Sequence, residues 1–431
     1  MSRRSVTPLL IGTFVLRINT GAITVLLGLF LAQLAIHAGH PITSLQVGLL
    51  PVAFFTAEVV LAPLMGALGD RWGRRSFLIL GPIPGFIHVS LIPFTPIGNA
   101  MPYLLGLQVI AACSSAMIVP ATLGYLADLT VQDPAHRTRV MSLYELATSS
   151  GIAVGVAIAG FAWDHLGYLA FSLLALFYLI VAVCMLVTPR VKQEIEHGNL
   201  SKLARRYWSI IRTPRFFLFI PAWISIFALA GVWLSSQLPF LLSEHRHIPH
   251  QFLVGSMSGP GGGSRISMVL GIYVLFFGLC LLFWAFFLSR VPRLTLMLTS
   301  IAGVYLACIA LAGINHLGAG SDLLICIPLL TLGVFAESSF APAALAYLAD
   351  ITEEAARDRG LLMGLYSIFL GLGQSIGNGL GGVFARNFGF DGLIYLTVLL
   401  AFVALVALLW LFWQERKAAG FSTSGRPGTW Q

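Results

Sequence analysis

Apolar residues fill the chain in long blocks, each closed by a short charged or glycine- and proline-rich break. A helix needs about 20 residues to cross a hydrocarbon core. Reading block by block predicts twelve spans: 8–36, 45–68, 76–97, 101–127, 140–163, 166–188, 216–243, 266–288, 294–315, 322–349, 361–385 and 391–414. The blocks do not alternate, and they far exceed the roughly ten residues of a barrel strand. The predicted fold class is an all-α membrane protein with twelve transmembrane helices.

Composition agrees. Of 431 residues, 58% are hydrophobic and 10% charged. A soluble domain carries about 25% charge. The N-terminal MSRR followed by an apolar run resembles a signal peptide, but that run continues to Ala35. It is too long for a signal core and reads as the first span. The formal charge of +8 invites a nucleic-acid partner. Position argues otherwise: alternate loops and the termini hold 21 Lys and Arg, and the intervening loops hold three, Arg246, Arg265 and Arg386. This bias predicts a plasma (inner) membrane protein with both termini cytoplasmic, and no nucleic acid partner.

Domain organisation follows from the same count. Residues 1–188 form a first six-helix bundle and 216–414 a second. Segment 189–215 is a basic, partly amphipathic cytoplasmic linker, and 415–431 is a cytoplasmic tail. The outer segment SGPGGGS reads as a flexible linker. Five cysteines lie within apolar blocks without disulfide or metal spacing. Three loop histidines in HRHIPH, His245, His247 and His250, lack a rigid frame for a metal, so no metal or cofactor is expected. There is no nucleotide-binding loop of the Walker type.

The chain also repeats itself. PATLGYLADLT at 120–130 returns as PAALAYLADIT at 342–352. At an offset of 222 residues, 16 of 48 positions in 120–167 and 342–389 are identical, including Pro120/Pro342, Tyr125/Tyr347, Asp128/Asp350 and Arg137/Arg359. Apolar bias does not produce shared Asp, Arg and Pro. Spans four and five recur as ten and eleven in the same orientation. Two pseudo-symmetric six-helix bundles with a substrate site between them are a transporter architecture.

Between spans two and three stands GALGDRWGRR. Gly66, Leu68, Asp70, Arg71, Gly73, Arg74 and Arg75 fill every position of the loop signature of the major facilitator superfamily, which the chain resembles. The resemblance implies a secondary transporter working by alternating access, with spans one, four, seven and ten lining its cavity. It also implies gating. Asp128 and Asp350 end helices, where a negative charge opposes the helix dipole and asks for a cation. By analogy Arg74 pairs with Asp128, and Asp70 caps the N-terminal end of span eleven. The mirrored partner of Asp350 is Arg290 or Arg293, in the worn copy SRVPR.

Charges within spans are costly and usually functional. Three lie near the bilayer centre: Arg17, Glu58 and Glu337. Glu58 or Glu337 is a candidate proton carrier, since desolvation favours a neutral carboxyl; alternatively Arg17 and Glu58 form a static pair. Arg17 also suits contact with a carboxylate of the substrate. Glu337 aligns with Ser115, so the halves differ where function needs asymmetry. Arg17, Gly21, Thr24 and Gly28 share one small, polar face, fit for a cavity or close packing. Gln108, Tyr144, Trp233 and Gln237 complete the candidate substrate contacts, an aromatic and amide set suited to amphipathic molecules.

Two features depart from drug–proton antiporters of that superfamily. Gln108 stands where they often carry arginine. GIAVGVAIAG has Val156 where their fifth span has proline. The expectation is a monomeric, non-enzymatic transporter in the lipid bilayer, taking a small-molecule substrate, with protons as the coupling ion. Export of an amphipathic organic compound leads. Uptake of a sugar, nucleoside or organic acid is the alternative, and a transport-inactive receptor or assembly factor is the rival from another class.

Overall fold

The computed structural model describes residues 6–37, 42–129, 134–189, 212, 214–245, 248–287, 291–317, 323–351 and 359–423. No strand occurs among the described residues. The helices are α1 (Thr7–His37), α2 (Ser44–Trp72), α3 (Arg74–Leu80), α4 (Pro82–Leu91), α5 (Ala100–Leu129), α6 (Pro134–Leu166), α7 (Ala170–Val187), α8 (Pro214–Trp233), α9 (Gln237–Ser243), α10 (Gly262–Phe287), α11 (Arg293–Leu317), α12 (Leu323–Glu337), α13 (Phe340–Ile351), α14 (Arg359–Phe388) and α15 (Phe390–Thr423).

Among the described residues, eleven helical stretches are long and apolar enough to cross a membrane. One of them, Arg139–Val187, is 49 residues long and contains both α6 and α7. The chain turns between them at Gly167, whose φ of +55° suits a residue without a Cβ. That stretch makes two crossings, and the total is twelve. The chain is an all-α, multi-pass membrane protein.

Two spans expected to be continuous are broken. The seventh is α8 and α9, and the tenth is α12 and α13. The third span, α3 and α4, keeps helical backbone through Gly81 (φ −58°, ψ −35°), whose N–H donates to the Phe77 carbonyl at 2.8 Å. The two breaks share a local sequence: LSSQLP at 234–239 and ESSFAP at 337–342. Each proline lacks an N–H, and its ring crowds the carbonyl four residues earlier, at Ser235 or Ser338. The serines then satisfy the freed backbone. Ser338 Oγ donates to the Phe335 carbonyl at 2.8 Å, and Ser339 Oγ to Ala336 at 2.7 Å. Proline alone does not break a span here. Pro120 lies inside α5, and Pro51 and Pro63 inside α2, without interruption.

The described chain forms two compact units. One comprises Met1–His197, Ala230–Gly278 and Gln374–Leu393; the other comprises Gly198–Leu229, Leu279–Gly373 and Ile394–Gln431. These packing units differ from the repeat units, because the first takes in the ends of α10 and α14 that lie farthest from the signature loop, together with α9. That face is called distal below.

In lipid, helices gain little from burying apolar groups against one another, so close approach of small residues governs association. Within the first unit, α1 and α6 meet backbone to backbone. A methyl group on Gly21 would sit 2.2 Å from the Ile152 carbonyl, and one on Gly155 would sit 2.1 Å from that of Ile18. Nearer the signature loop, Leu9, Leu78, Leu126, Tyr144 and Met185 join an apolar core drawn from α1, α3, α5, α6 and α7. In the second unit α11 meets α12, where a methyl on Gly303 would fall 2.6 Å from the Gly333 carbonyl.

Candidate functional site

The first unit holds a half-buried polar group built on α1, α2 and α5, with exposed Glu145 of α6 within reach of its charge. Glu58, on α2, accepts a hydrogen bond from the Ser115 hydroxyl on α5. Ser115 lies seven residues beyond buried Gln108, two turns along the same helix face. The positive charge of Arg17 on α1 acts on Glu58, on Glu145 of α6 and on the Tyr178 hydroxyl of α7. Arg17 Nε is itself buried and makes no hydrogen bond among the described residues. Glu58 takes a hydrogen bond from Ser115 while the Arg17 charge also acts on it. The cluster brings together Arg17, Glu58 and Ser115, which the sequence singled out separately.

Other expected contacts are placed differently. The Thr24 hydroxyl donates to the Thr20 carbonyl of its own helix at 3.1 Å. Tyr144 sits in the apolar core. Trp233 ends α8 and meets the Phe390 ring edge to face, with centroids 5.8 Å apart. Gln237 begins α9 and is buried, with neither side-chain amide atom hydrogen-bonded among the described residues. Glu337 lies in the second unit, half-buried at the last position of α12, directly before the Ser338–Ser339 break.

The distal face of the first unit is a seam joining helices of the two sequence repeats. α1 meets α9 at Gly28, where a methyl would fall 2.6 Å from the Ser236 carbonyl. α2 meets α14 at Gly48 and Gly382. α6 meets α10 most intimately: a methyl on Gly160 would sit 1.8 Å from the Gly263 carbonyl, and Gly160 N–H donates to Ser267 Oγ at 2.6 Å. Asp164 completes this seam. One carboxylate oxygen accepts from Gly263 N–H at 3.2 Å, and the other from Ser264 N–H at 2.7 Å and Ser264 Oγ at 2.6 Å. The expected SGPGGGS linker is thus structured at its end, because its glycines admit the α6 backbone and its amides meet a carboxylate. Sequence reasoning passed over Asp164 and buried Asn378, whose Oδ1 is unpartnered among the described residues. An aspartate near a helix end carries no local mark of a partner about 100 residues away.

The sequence profile of the Major Facilitator Superfamily matches residues 9–265 and 261–429. The chain belongs to this superfamily. Multidrug resistance protein 2 of Bacillus subtilis (strain 168) is 26% identical over 384 residues, 86% of this chain and 86% of that protein. Multidrug resistance protein 1 of the same organism is 27% identical over 221 residues, 48% of this chain and 56% of that protein. Quinolone resistance protein NorA of Staphylococcus aureus (strain N315) is 25% identical over 211 residues, 47% of this chain and 52% of that protein. The chain spans about half the length of these last two relatives. Among solved structures, the nucleoside transporter NupG gives a TM-score of 0.72, covering 94% of this chain and 98% of that one at 15% identity. A D-xylose-proton symporter gives 0.67, covering 95% and 97%, also at 15% identity. These likenesses are of fold. This major facilitator protein is a membrane transporter, not an enzyme.

The signature loop of the major facilitator protein shows how its repeat is used. Gly73 joins α2 to α3 with φ of +95°, a left-handed conformation that suits glycine. Arg74 Nη1 donates to the Gly124 carbonyl at 2.7 Å, and a methyl on Gly124 would strike the guanidinium at 2.6 Å. In the second repeat Arg293 Nη1 donates to the Ala346 carbonyl at 2.9 Å. Gly124 and Ala346 are equivalent positions, 222 residues apart. Arg293 is therefore the counterpart of Arg74. Arg75 donates to the Leu186 and Thr188 carbonyls at the end of α7, where a cation complements the helix dipole. The repeated tyrosines also match: Tyr125 hydroxyl donates to the Pro189 carbonyl at 2.9 Å, and Tyr347 hydroxyl to Glu415 at 2.8 Å. Arg71 is exposed at the end of α2, and Gly66 has room for a methyl, with Pro120 3.9 Å away. The side chains of Asp70, Asp128 and Asp350, and residue Arg290, lie outside the described residues, as does His247.

Proposed function

We propose that this chain is a monomeric, proton-coupled exporter of small amphipathic organic compounds, acting by alternating access in the plasma membrane with both termini cytoplasmic. The observation that carries export is the similarity to a multidrug resistance protein over 86% of each chain. The chemistry is compatible with a zwitterion such as a quinolone. Arg17 offers a cation to an anionic group, and Glu58, Glu145 and Glu337 offer acceptors for a proton or a cationic group. Glu58 and Glu337 are the proton carriers in this reading. A buried carboxyl is costly to ionise and readily traded between a proton and a cation. Gln108, Ser115, Trp233 and Gln237 add polar and aromatic substrate contacts, with Thr24 and Tyr144 secondary. On the loop side, Arg74 pairs with Asp128, Arg293 with Asp350, and Asp70 caps span eleven.

Everted membrane vesicles containing the chain test this. With an imposed inside-acidic gradient, they accumulate a fluorescent quinolone, and a protonophore abolishes the accumulation. Glu58→Gln and Glu337→Gln each remove the gradient-driven component. Accumulation that persists in both variants, or that ignores the gradient, rules the proposal out.

A further inference from the structure

The Asp164 carboxylate spans the two sequence repeats: it belongs to α6 and receives three hydrogen bonds from the first turn of α10. The first turn of a helix has amide groups without intrahelical partners and a partial positive charge. A carboxylate there satisfies both. Around it the backbones of Gly160 and Gly263 touch, with no space for a side chain on either. The seam is therefore specific, short-ranged and polar at its rim. It holds the distal ends of α6 and α10 together, and a path through the distal face requires those ends to part.

We propose that Asp164 is the distal latch of the transport cycle, a positioning residue that holds the distal face shut through the N-terminus of α10 and releases it when that face opens. This rests on the alternating-access reading above. The family resemblance implies a similar device on the opposite face, where Asp70 of the first repeat is expected over the N-terminal end of span eleven. An aspartate of repeat one on a helix N-terminus of repeat two then closes each face in turn. Because only one face is closed at a time, weakening either latch shifts population toward the other.

Spin labels at Leu166→Cys and Met268→Cys, both exposed beside the seam, report its opening in a chain whose five native cysteines are replaced by alanine. The wild-type background gives one short distance. Asp164→Asn lowers the closed-to-open ratio roughly tenfold, the loss expected for a charged cap at a helix N-terminus. Ser264→Pro removes the strongest backbone donor while leaving Asp164 intact, and proline is tolerated in a first helical turn. It shifts the ratio in the same direction, so the test stands even if Asp164→Asn folds poorly. Asp164→Glu retains the short distance. Asp70→Asn, read at the same labels, raises the closed fraction. If Ser264→Pro and any folded Asp164→Asn keep the wild-type distribution, Asp164 is not a latch. A shifted distribution in a protein that transports no probe keeps the latch and removes the exporter reading.

Discussion

Glu58 and Ser115 show how a polar pair is held inside an apolar span. The serine hydroxyl gives the buried carboxyl a donor that no lipid or apolar neighbour provides. Ser115→Ala leaves that acceptor short of a partner, an expected loss of about 1–3 kcal/mol. Thermal unfolding of the purified protein in detergent checks this. Adding Glu58→Gln replaces the carboxyl that takes the hydroxyl's hydrogen bond, so the double variant is expected to lose less than the sum of the singles. Strict additivity would show that the bond carries no such coupling. The sequence made both residues visible, Glu58 as a charge in a span and Ser115 as the counterpart of Glu337. Their pairing was not visible, because it depends on the rotation of α2 against α5.

At the scale of elements, the twelve spans and the duplicated unit were legible, since length, apolar content and a long ungapped repeat are local properties of the chain. The breaks in spans seven and ten were not. Proline also occurs in α2 and α5, which remain continuous; in the broken helices a serine pair stands four and three residues ahead of Pro239 and Pro342, whereas Ser114 and Ser115 stand six and five ahead of Pro120. Pro342→Ala removes the clash that keeps α12 and α13 apart. It is expected to hold or raise the unfolding temperature while slowing proton-driven flux, because Glu337 loses its place at a helix end. Unchanged flux would mean the break serves packing alone. The worn second loop is a further example: SRVPR offered two arginines, and the bond from Arg293 to Ala346 identifies the one equivalent to Arg74. Arg293→Ala is expected to reduce flux more than Arg290→Ala, and the reverse order would contradict that equivalence.

Across the whole molecule, the repeat and the packing divide the chain differently. The repeat parts it near the central linker, whereas the first packing unit reaches across to α9 and the distal parts of α10 and α14. Glycine seams make this possible, and their tolerance is low. Gly155→Val drives a branched side chain into the Ile18 carbonyl and is expected to cost roughly 1–3 kcal/mol or more, read as a fall in folded yield and unfolding temperature. Gly66→Ala, with space around it, is expected to cost little. The charged cluster at Arg17, Glu58 and Glu145 lies inside this same unit, and in the proposed mechanism it is where substrate and proton compete. Proton release on substrate binding tests that claim most directly. In weakly buffered solution, adding a quinolone to the purified protein should release protons in proportion to binding, and Glu58→Gln should bind while releasing fewer. Saturable binding with no proton released at any pH would contradict the account.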